Sequence, residues 1–174
     1  CALPISHAGD ARVGVLVEVP AVAFAIKRIV RMVDFISIGS NDLTQYLMAA
    51  DRDNPRVAHL CQPYNPILFR LVRRILRAAS EAGKPVTICG EMAGEPRCLL
   101  PLLGLGLRRF SMAAALLPSV KELLRRVTLE DAKEAATAVC RMSTFKAVRR
   151  YLTNRTHEIM PDLNLIEEIG RAHV

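Results

Sequence analysis

The sequence predicts an α/β fold, the C-terminal half of a (β/α)8 TIM-type barrel of about four βα units, followed by C-terminal helices. Four short apolar runs alternate with helical patterns, which calls for parallel strands joined by helices. Polar side chains follow three of the runs, and no glycine-rich nucleotide-binding motif follows any of them. Because a full barrel has eight strands, four strands in 174 residues indicate half of one.

The composition is that of one soluble globular domain and excludes several classes of protein. Apolar residues make up 51% of the chain and charged residues 24%, too apolar for disorder, and charges interrupt every long apolar stretch, so no membrane span is expected. The five cysteines form no CxxC pair, which suits a reducing compartment and predicts a cytoplasmic protein. The net charge is +7, but no aromatic residues interleave with the arginines, so nucleic-acid binding is not expected.

The first half of the chain predicts two strands and three helices. The apolar run at residues 13–19 predicts a strand buried on both faces, and Pro20 opens a helix that the apolar spacing extends to about Val33. A second strand is predicted at residues 34–38, a turn at 39–42 and a short helix at 43–50. A long irregular loop follows, and a helix is then predicted over residues 66–82, with Gly83 as its stop signal.

The second half predicts two more strands and a helical tail. The strands are expected at residues 84–89 and 109–112, with a helix over residues 96–103 between them. A helix at residues 118–127 precedes Thr128, which forms a capping box with Asp131 in place of the usual Glu or Gln. Helices are expected to about residue 162. Residues 7–127 would then be the half barrel and residues 128–167 the helical tail.

Both ends of the chain look foreign to the protein. The opening CALPIS and the closing IGRAHV back-translate into strings that are reverse complements over most of their length and resemble a sequencing adapter. We therefore expect residues 1–6 and 168–174 to be adapter-derived, and they are left out of the fold prediction.

Two carboxylates follow the first two predicted strands. Glu18 and Asp42 would supply two hard oxygen ligands, too few to enclose Ca²⁺ but suited to Mg²⁺, which completes its shell with water and substrate phosphate. The alternatives are a solvent-facing acid for Glu18 and a helix cap for Asp42. An acid after four aliphatic residues is costly to bury unless it is paired or metal-bound, which favours the metal site for Glu18.

Two further side chains could take part in chemistry. Arg52 could hold a phosphate or carboxylate with its planar guanidinium group, or form an ion pair with Asp51 or Asp53. Cys89 ends the third predicted strand beside a glycine and could be a nucleophile, a general acid or a small buried apolar residue. Spacing alone does not decide between these roles.

Four sequence strings in order carry a resemblance to a known family. They are GVLVEVP at residues 14–20, FISIGSNDLTQY at 35–46, DRDN at 51–54 and ICGEMAG at 88–94. Together they resemble the phosphoenolpyruvate-utilising enzymes, in particular enzyme I of the bacterial phosphotransferase system, including its nitrogen-related branch. The resemblance runs from about residue 12 to residue 127 and is specific, because four motifs occur together.

The resemblance implies a role for each candidate residue. Glu18 and Asp42 correspond to the Mg²⁺ ligands, Asn41 and Arg52, with Asp42, to the residues that bind phosphoenolpyruvate, and Cys89 to the proton donor. In this family phosphoenolpyruvate passes its phosphoryl group to an enzyme histidine, which passes it to a histidine-containing carrier protein, and pyruvate is released. The family's barrel also forms homodimers, so a homodimer is implied.

Other functions of the same barrel stay open. Pyruvate phosphate dikinase and phosphoenolpyruvate synthase share the SIGSNDLTQ and CG segments, although the GEMAG string favours enzyme I. A non-catalytic module that senses phosphoenolpyruvate and dimerises is a third possibility. The family's Thr-Ser-His signature around the phosphorylated histidine belongs to a separate domain and is not found in this sequence, so the chain is not expected to turn over alone.

Overall fold

A computed structural model describes residues 9–161 of the chain. The predictions for residues 1–6 and 168–174 lie outside the described residues. The described part contains a four-stranded parallel sheet in which the strands follow one another in sequence order. The strands are β1 (Gly14–Val17), β2 (Phe35–Gly39), β3 (Val86–Cys89) and β4 (Arg109–Phe110). This sheet confirms the predicted α/β fold with four parallel strands.

The helices between and after the strands are those that the sequence predicts, with three differences. They are α1 (Pro20–Phe24), α2 (Ile26–Ile29), α3 (Ser40–Met48), α4 (Pro66–Glu81), α5 (Glu91–Gly94), α6 (Pro96–Gly104), α7 (Leu117–Arg126), α8 (Leu129–Arg141) and α9 (Phe145–Ile159). A single 3₁₀ turn, Ala58–Leu60, interrupts the long loop between α3 and α4. Among the described residues, no helix is long and apolar enough to cross a membrane.

The first difference is that the helix predicted from residue 21 to about residue 33 is wrong as a single helix. It is broken at Ala25, whose φ of −84° and ψ of 2° leave the helical range. The guanidinium group of Arg74 donates to the carbonyl oxygens of Ala23 and Phe24, each at 3.3 Å, and also lies over the Phe24 ring. The break therefore exposes carbonyls that a residue of α4 then satisfies.

The other two differences lie where strands meet helices. The turn predicted at residues 39–42 is the start of α3, which begins at Ser40, so Asn41 and Asp42 stand in its first turn. The short helix α5, directly after β3, was not predicted. The glycines at both junctions suggest a separate loop after the strand. In the structure the chain passes from strand to helix without one.

The two faces of the sheet differ in burial. Val17, Ile36, Ile38 and Ile88 are fully buried in the core that the sheet shares with the helices, including α8 and α9. The opposite face, called the open face below, carries exposed Leu16 (48%) and Phe35 (41%) and the partly buried or exposed residues Ser37, Thr87, Cys89 and Arg109. The prediction that the first strand is buried on both faces is therefore wrong, because Leu16 lies on the open face.

The capping box at the start of α8 is present as predicted. The Thr128 hydroxyl accepts from the Asp131 backbone N–H, and the Asp131 carboxylate accepts from the Thr128 backbone N–H, both at 3.1 Å. The Thr128 hydroxyl also donates to the Asp131 carboxylate at 2.5 Å, and this hydrogen bond, with the one from the Thr128 N–H and the guanidinium of Arg155 at 2.7 Å, holds the pKa of Asp131 below its usual value of 3.8. A carboxyl group whose pKa is lowered by folding stabilises the folded state at pH values above its usual pKa. This stabilisation is lost as the pH falls through the folded pKa.

We expect Asp131→Asn to lower the free energy of unfolding by about 1 kcal/mol at pH 6.5, the usual cost of losing a helix cap. The difference from wild type should shrink at pH 2.5, because below 3.8 the unfolded wild-type chain already binds the proton and the charged folded carboxyl loses its advantage. Urea unfolding of both proteins at the two pH values measures this. A difference that stays constant across that range would contradict the role of the charge.

Candidate functional site

Three residues form a row across the carboxyl ends of β1, β2 and β3. The register pairs Val17 with Ile38 and Gly39 with Cys89. Glu18, the next residue after β1, therefore lies level with Gly39 and Cys89. We call these three residues the strand-end row. It brings one carboxylate and one thiol to the same level of neighbouring strands.

Gly39 provides the space that the Glu18 side chain occupies. A Cβ at position 39 would lie 2.6 Å from both Cγ and Oε1 of Glu18. Gly39 and Cys89 are register partners, so their Cβ directions point to the same face of the sheet. The Glu18 carboxylate thus lies over Gly39 on the open face, the face toward which Cys89 also points.

Cys89 is held on both its backbone and its side chain. Its carbonyl oxygen accepts a hydrogen bond from the Ser40 hydroxyl at 2.7 Å, and its Sγ lies 3.5 Å from the carbonyl oxygen of Ile38. The side chain is partly buried rather than sealed in the core. The thiol is therefore ordered and accessible, which fits a proton donor better than it fits the alternative of a small buried apolar residue.

Asp42 is tied to the loop that carries Arg52. Its Oδ1 accepts from Gln45 Nε2 at 3.1 Å, and Gln45 Oε1 accepts from the backbone N–H of Arg52 at 2.8 Å. The side chain of Gln45 therefore bridges the first turn of α3 and the loop after it. The alternative role for Asp42, capping α3, does not apply, because Asp42 lies inside the helix and Gly39 precedes it.

Asn41 and Arg52 line one small cavity of about 30 Å³, together with Cys61 and Glu91. This volume is that of a single water molecule. Asn41 Oδ1 accepts from the backbone N–H of Glu91 at 2.8 Å, which fixes the amide. Burial, with the carboxylates of Asp51 and Glu91, raises the pKa of the Cys61 thiol.

The sequence indicates Gly90 only as the glycine beside Cys89, and it does not single out Ser40 or Gln45. Gly90 has a φ of +93°, a conformation that residues with a side chain rarely adopt. The glycine directly after Cys89 is therefore a signal that the sequence itself contains. Ser40 and Gln45 act through hydrogen bonds to residues 7 to 49 positions away in the chain. No local pattern reveals such partners.

The donors fit a magnesium ion only if the substrate and water complete its shell. Among the described residues, no group of three or more His, Cys, Asp or Glu could hold a metal by itself. Mg²⁺ is commonly held by one or two carboxylates with waters and substrate phosphate oxygens. Glu18, whose carboxylate fills the space over Gly39, and Asp42 supply that number of hard oxygen donors.

The fold and the site define the class of α/β proteins that bind a ligand at the carboxyl ends of parallel strands. A family model described as "PEP-utilising enzyme, PEP-binding domain" matches residues 4–129. The chain belongs to this family of phosphoenolpyruvate-utilising enzymes, which confirms the resemblance found in the sequence.

Several curated proteins are similar to the chain over most of its length. The multiphosphoryl transfer protein 1 of Escherichia coli K12 is 44% identical over 154 residues, 88% of this chain and 18% of that protein. The phosphoenolpyruvate-protein phosphotransferase of Geobacillus stearothermophilus is 44% identical over 144 residues, 83% and 25% of the two chains. That of Buchnera aphidicola subsp. Baizongia pistaciae is 42% identical over 136 residues, 78% and 24%. The chain spans a quarter or less of these relatives.

Proposed function

We propose that this chain is the phosphoenolpyruvate-binding part of a phosphoenolpyruvate-protein phosphotransferase. The phosphoryl group of phosphoenolpyruvate passes, with Mg²⁺ bound, to an enzyme histidine and then to a histidine-containing carrier protein, and pyruvate is released. The observation that carries the proposal is the strand-end row, which places the Glu18 carboxylate and the Cys89 thiol on one face of the sheet. The names of the relatives support the same reaction.

In the proposed site, Glu18 and Asp42 hold the metal ion. When bound, Mg²⁺ offsets negative charge on the phosphate and on the developing enolate. Gln45 orients Asp42, because its amide donates to Oδ1. The two carboxylates follow consecutive strands and therefore lie at the same edge of the sheet.

Asn41 and Arg52 bind the negative groups of the substrate. The Oδ1 atom of Asn41 already accepts from the Glu91 N–H, so the amide nitrogen is the end left to donate to an anion. Arg52 supplies a planar set of N–H donors that matches a phosphate or carboxylate. Both line the same small cavity, so their side chains lie close enough to contact one ligand.

Cys89 protonates the methylene carbon of the enolate. As the P–O bond to the substrate breaks and the phosphorus–nitrogen bond to histidine forms, the enolate of pyruvate remains. The Sγ–H proton passes to C3 and the C2–O bond becomes a carbonyl, which gives pyruvate and a thiolate. The phosphorylated imidazole releases its remaining N–H proton to solvent, and solvent returns one proton to the sulfur. The role needs a protonated thiol in the resting enzyme.

The proposal extends to the setting of the whole protein. We propose that it acts in the cytoplasm on a histidine-containing phosphocarrier protein and that it forms a homodimer. The described cysteines are free thiols, as expected in a reducing compartment.

The test is a chimera in which this chain replaces the matching segment of the Geobacillus stearothermophilus phosphotransferase. We expect the chimera to phosphorylate the carrier protein from phosphoenolpyruvate. Cys89→Ala should lower the rate of pyruvate formation at least about a hundredfold, the usual effect of removing a general acid. Pyruvate release and carrier phosphorylation are both measured.

The matched control is Cys140→Ala, the same chemical change on α8. It should leave the rate within about twofold of that of the unmodified chimera. Cys140 packs against its neighbours and has no part in the proposed reaction. A folded chimera without activity, or full activity in Cys89→Ala, would overturn the proposed function.

A further inference from the structure

The geometry at the junction of β2 and α3 points to Ser40 as a positioning residue for the Cys89 thiol. We infer that the Ser40 hydroxyl, by holding the carbonyl of Cys89, fixes the place from which Sγ delivers its proton. This inference rests on the proposed function, because it assigns Ser40 a part in the protonation step.

The hydrogen bond from Ser40 is short and shielded from water. Ser40 is 2% exposed, and its hydroxyl lies 2.7 Å from the Cys89 carbonyl oxygen, 49 residues away in the chain. The same hydroxyl lies 3.5 Å from Asn41 Oδ1, but a hydroxyl has one hydrogen to donate, and the shorter contact takes it. Asn41 Oδ1 accepts instead from the Glu91 N–H at 2.8 Å. Two consecutive residues of α3 thus hold the segment on either side of Gly90.

Gly90 packs directly on these two side chains. A Cβ at position 90 would lie 2.5 Å from Ser40 Oγ and 2.6 Å from Asn41 Oδ1. The φ of +93° turns the chain immediately after Cys89. The backbone of Cys89 is therefore held by the β2 ladder on one side, through Gly39, and by Ser40 at the end of the strand.

Ser40 is itself rigidly placed. The Thr44 hydroxyl donates to the Ser40 carbonyl oxygen at 2.6 Å, and both residues are buried. The same helical turn carries Asn41 and Asp42. One turn of α3 therefore contains a proposed substrate-binding amide, a proposed metal ligand and the hydroxyl that holds the proton donor, so it sets the distances among them.

The short side chain of cysteine makes backbone position decisive. Sγ is only two bonds from Cα, so a shift of the Cys89 backbone moves the sulfur by nearly the same amount. The sulfur's own contact, 3.5 Å from the carbonyl oxygen of Ile38, is a weak hydrogen bond, so the position of the sulfur also depends on the backbone. A displacement of about 1 Å at a reacting group can cost about a hundredfold in rate.

Removal of the Ser40 hydroxyl should therefore impair protonation more than substrate binding. In the chimera, we expect Ser40→Ala to lower kcat about 10- to 100-fold. The KM for phosphoenolpyruvate should change less than about threefold, because the Ser40 hydroxyl donates to the Cys89 carbonyl, while the amide of Asn41 is held by the Glu91 N–H.

A second readout follows the proton itself. The analogue (Z)-2-phosphoenolbutyrate gives 2-oxobutyrate, and in D₂O the new deuterium makes C3 chiral. We expect one C3 configuration from the unmodified chimera and a nearly racemic product from Ser40→Ala. In the variant the thiol is misplaced, so solvent protonates the enolate from either face. The product is reduced as it forms, to prevent exchange, and the configuration is read by NMR.

The control is Thr128→Ala, which removes the cap of α8 and is expected to lower stability by about 1 kcal/mol, comparable to the loss of one buried hydrogen bond. It should change neither kcat nor the configuration. If Ser40→Ala keeps the kcat and the stereochemistry while Cys89→Ala is inactive, the role of Ser40 is overturned and the proposed function stands. If Cys89→Ala is fully active, the proposed function fails as well.

Discussion

The double variant Glu18→Gln and Asp42→Asn should lose at least about a thousandfold in phosphoryl transfer when it is made in the chimera. Both changes keep the size of the side chain and remove its charge. Metal binding supplies several kcal/mol of charge stabilisation in reactions of this kind, and about 1.4 kcal/mol corresponds to a factor of ten. Because Mg²⁺ binds through carboxylate oxygens, amides at both positions should remove the ion under assay conditions.

Two measurements separate loss of the metal from loss of the fold. The Mg²⁺ dependence of the rate should move to much higher concentration in each single variant, while thermal unfolding without metal stays within a few degrees of wild type. The control is Asp10→Asn with Glu130→Gln, the same two chemical changes at exposed acids. If the double variant retains wild-type activity at the same Mg²⁺ concentration, the assignment of these ligands is wrong.

Gly104→Ala should have the largest effect on stability. Gly104 is the last residue of α6, and a Cβ there would overlap the backbone carbonyl of Ala132 on α8 and lie 2.8 Å from the Lys133 backbone nitrogen. A helix backbone cannot move aside as the end of a flexible side chain can. Overpacking of this kind costs about 1–3 kcal/mol, so Tm should fall by about 2–12 °C in a chain of this size.

The control for this prediction is Gly9→Ala. Nothing lies within 4 Å of a Cβ at that position, so Tm should remain within about 1 °C of wild type. Calorimetry on the three proteins gives the comparison. A Gly104→Ala protein with the wild-type Tm would mean that α6 and α8 can separate without loss of packing.

Much of the fold was predictable because the decisive signals are local. Pro66 at the first position of α4, Gly83 after its end and the Thr128 capping box are short patterns with a direct backbone cause. The strands were found from their apolar runs. The break at Ala25 has no local signal, and the carbonyl groups that it frees are satisfied by Arg74, which lies about fifty residues later in the chain.

The candidate site shows the same division between local and distant signals. Glu18, Asp42 and Cys89 could be singled out because each closely follows or ends an apolar run. Their arrangement could not, since it depends on strand register and on the space over Gly39. The apolar composition of β1 predicts burial on both faces. An aliphatic residue such as Leu16 can nevertheless lie exposed, because nothing among the described residues covers that face.

The open face of the sheet is where covering and ligand binding would be coupled. Apolar Leu16 and Phe35 lie on it together with the thiol of Cys89. An element that covered the whole face would bury the apolar side chains and shield the thiol from bulk water at the same time. By mass action, a ligand that bound better to the covered sheet would favour this covering.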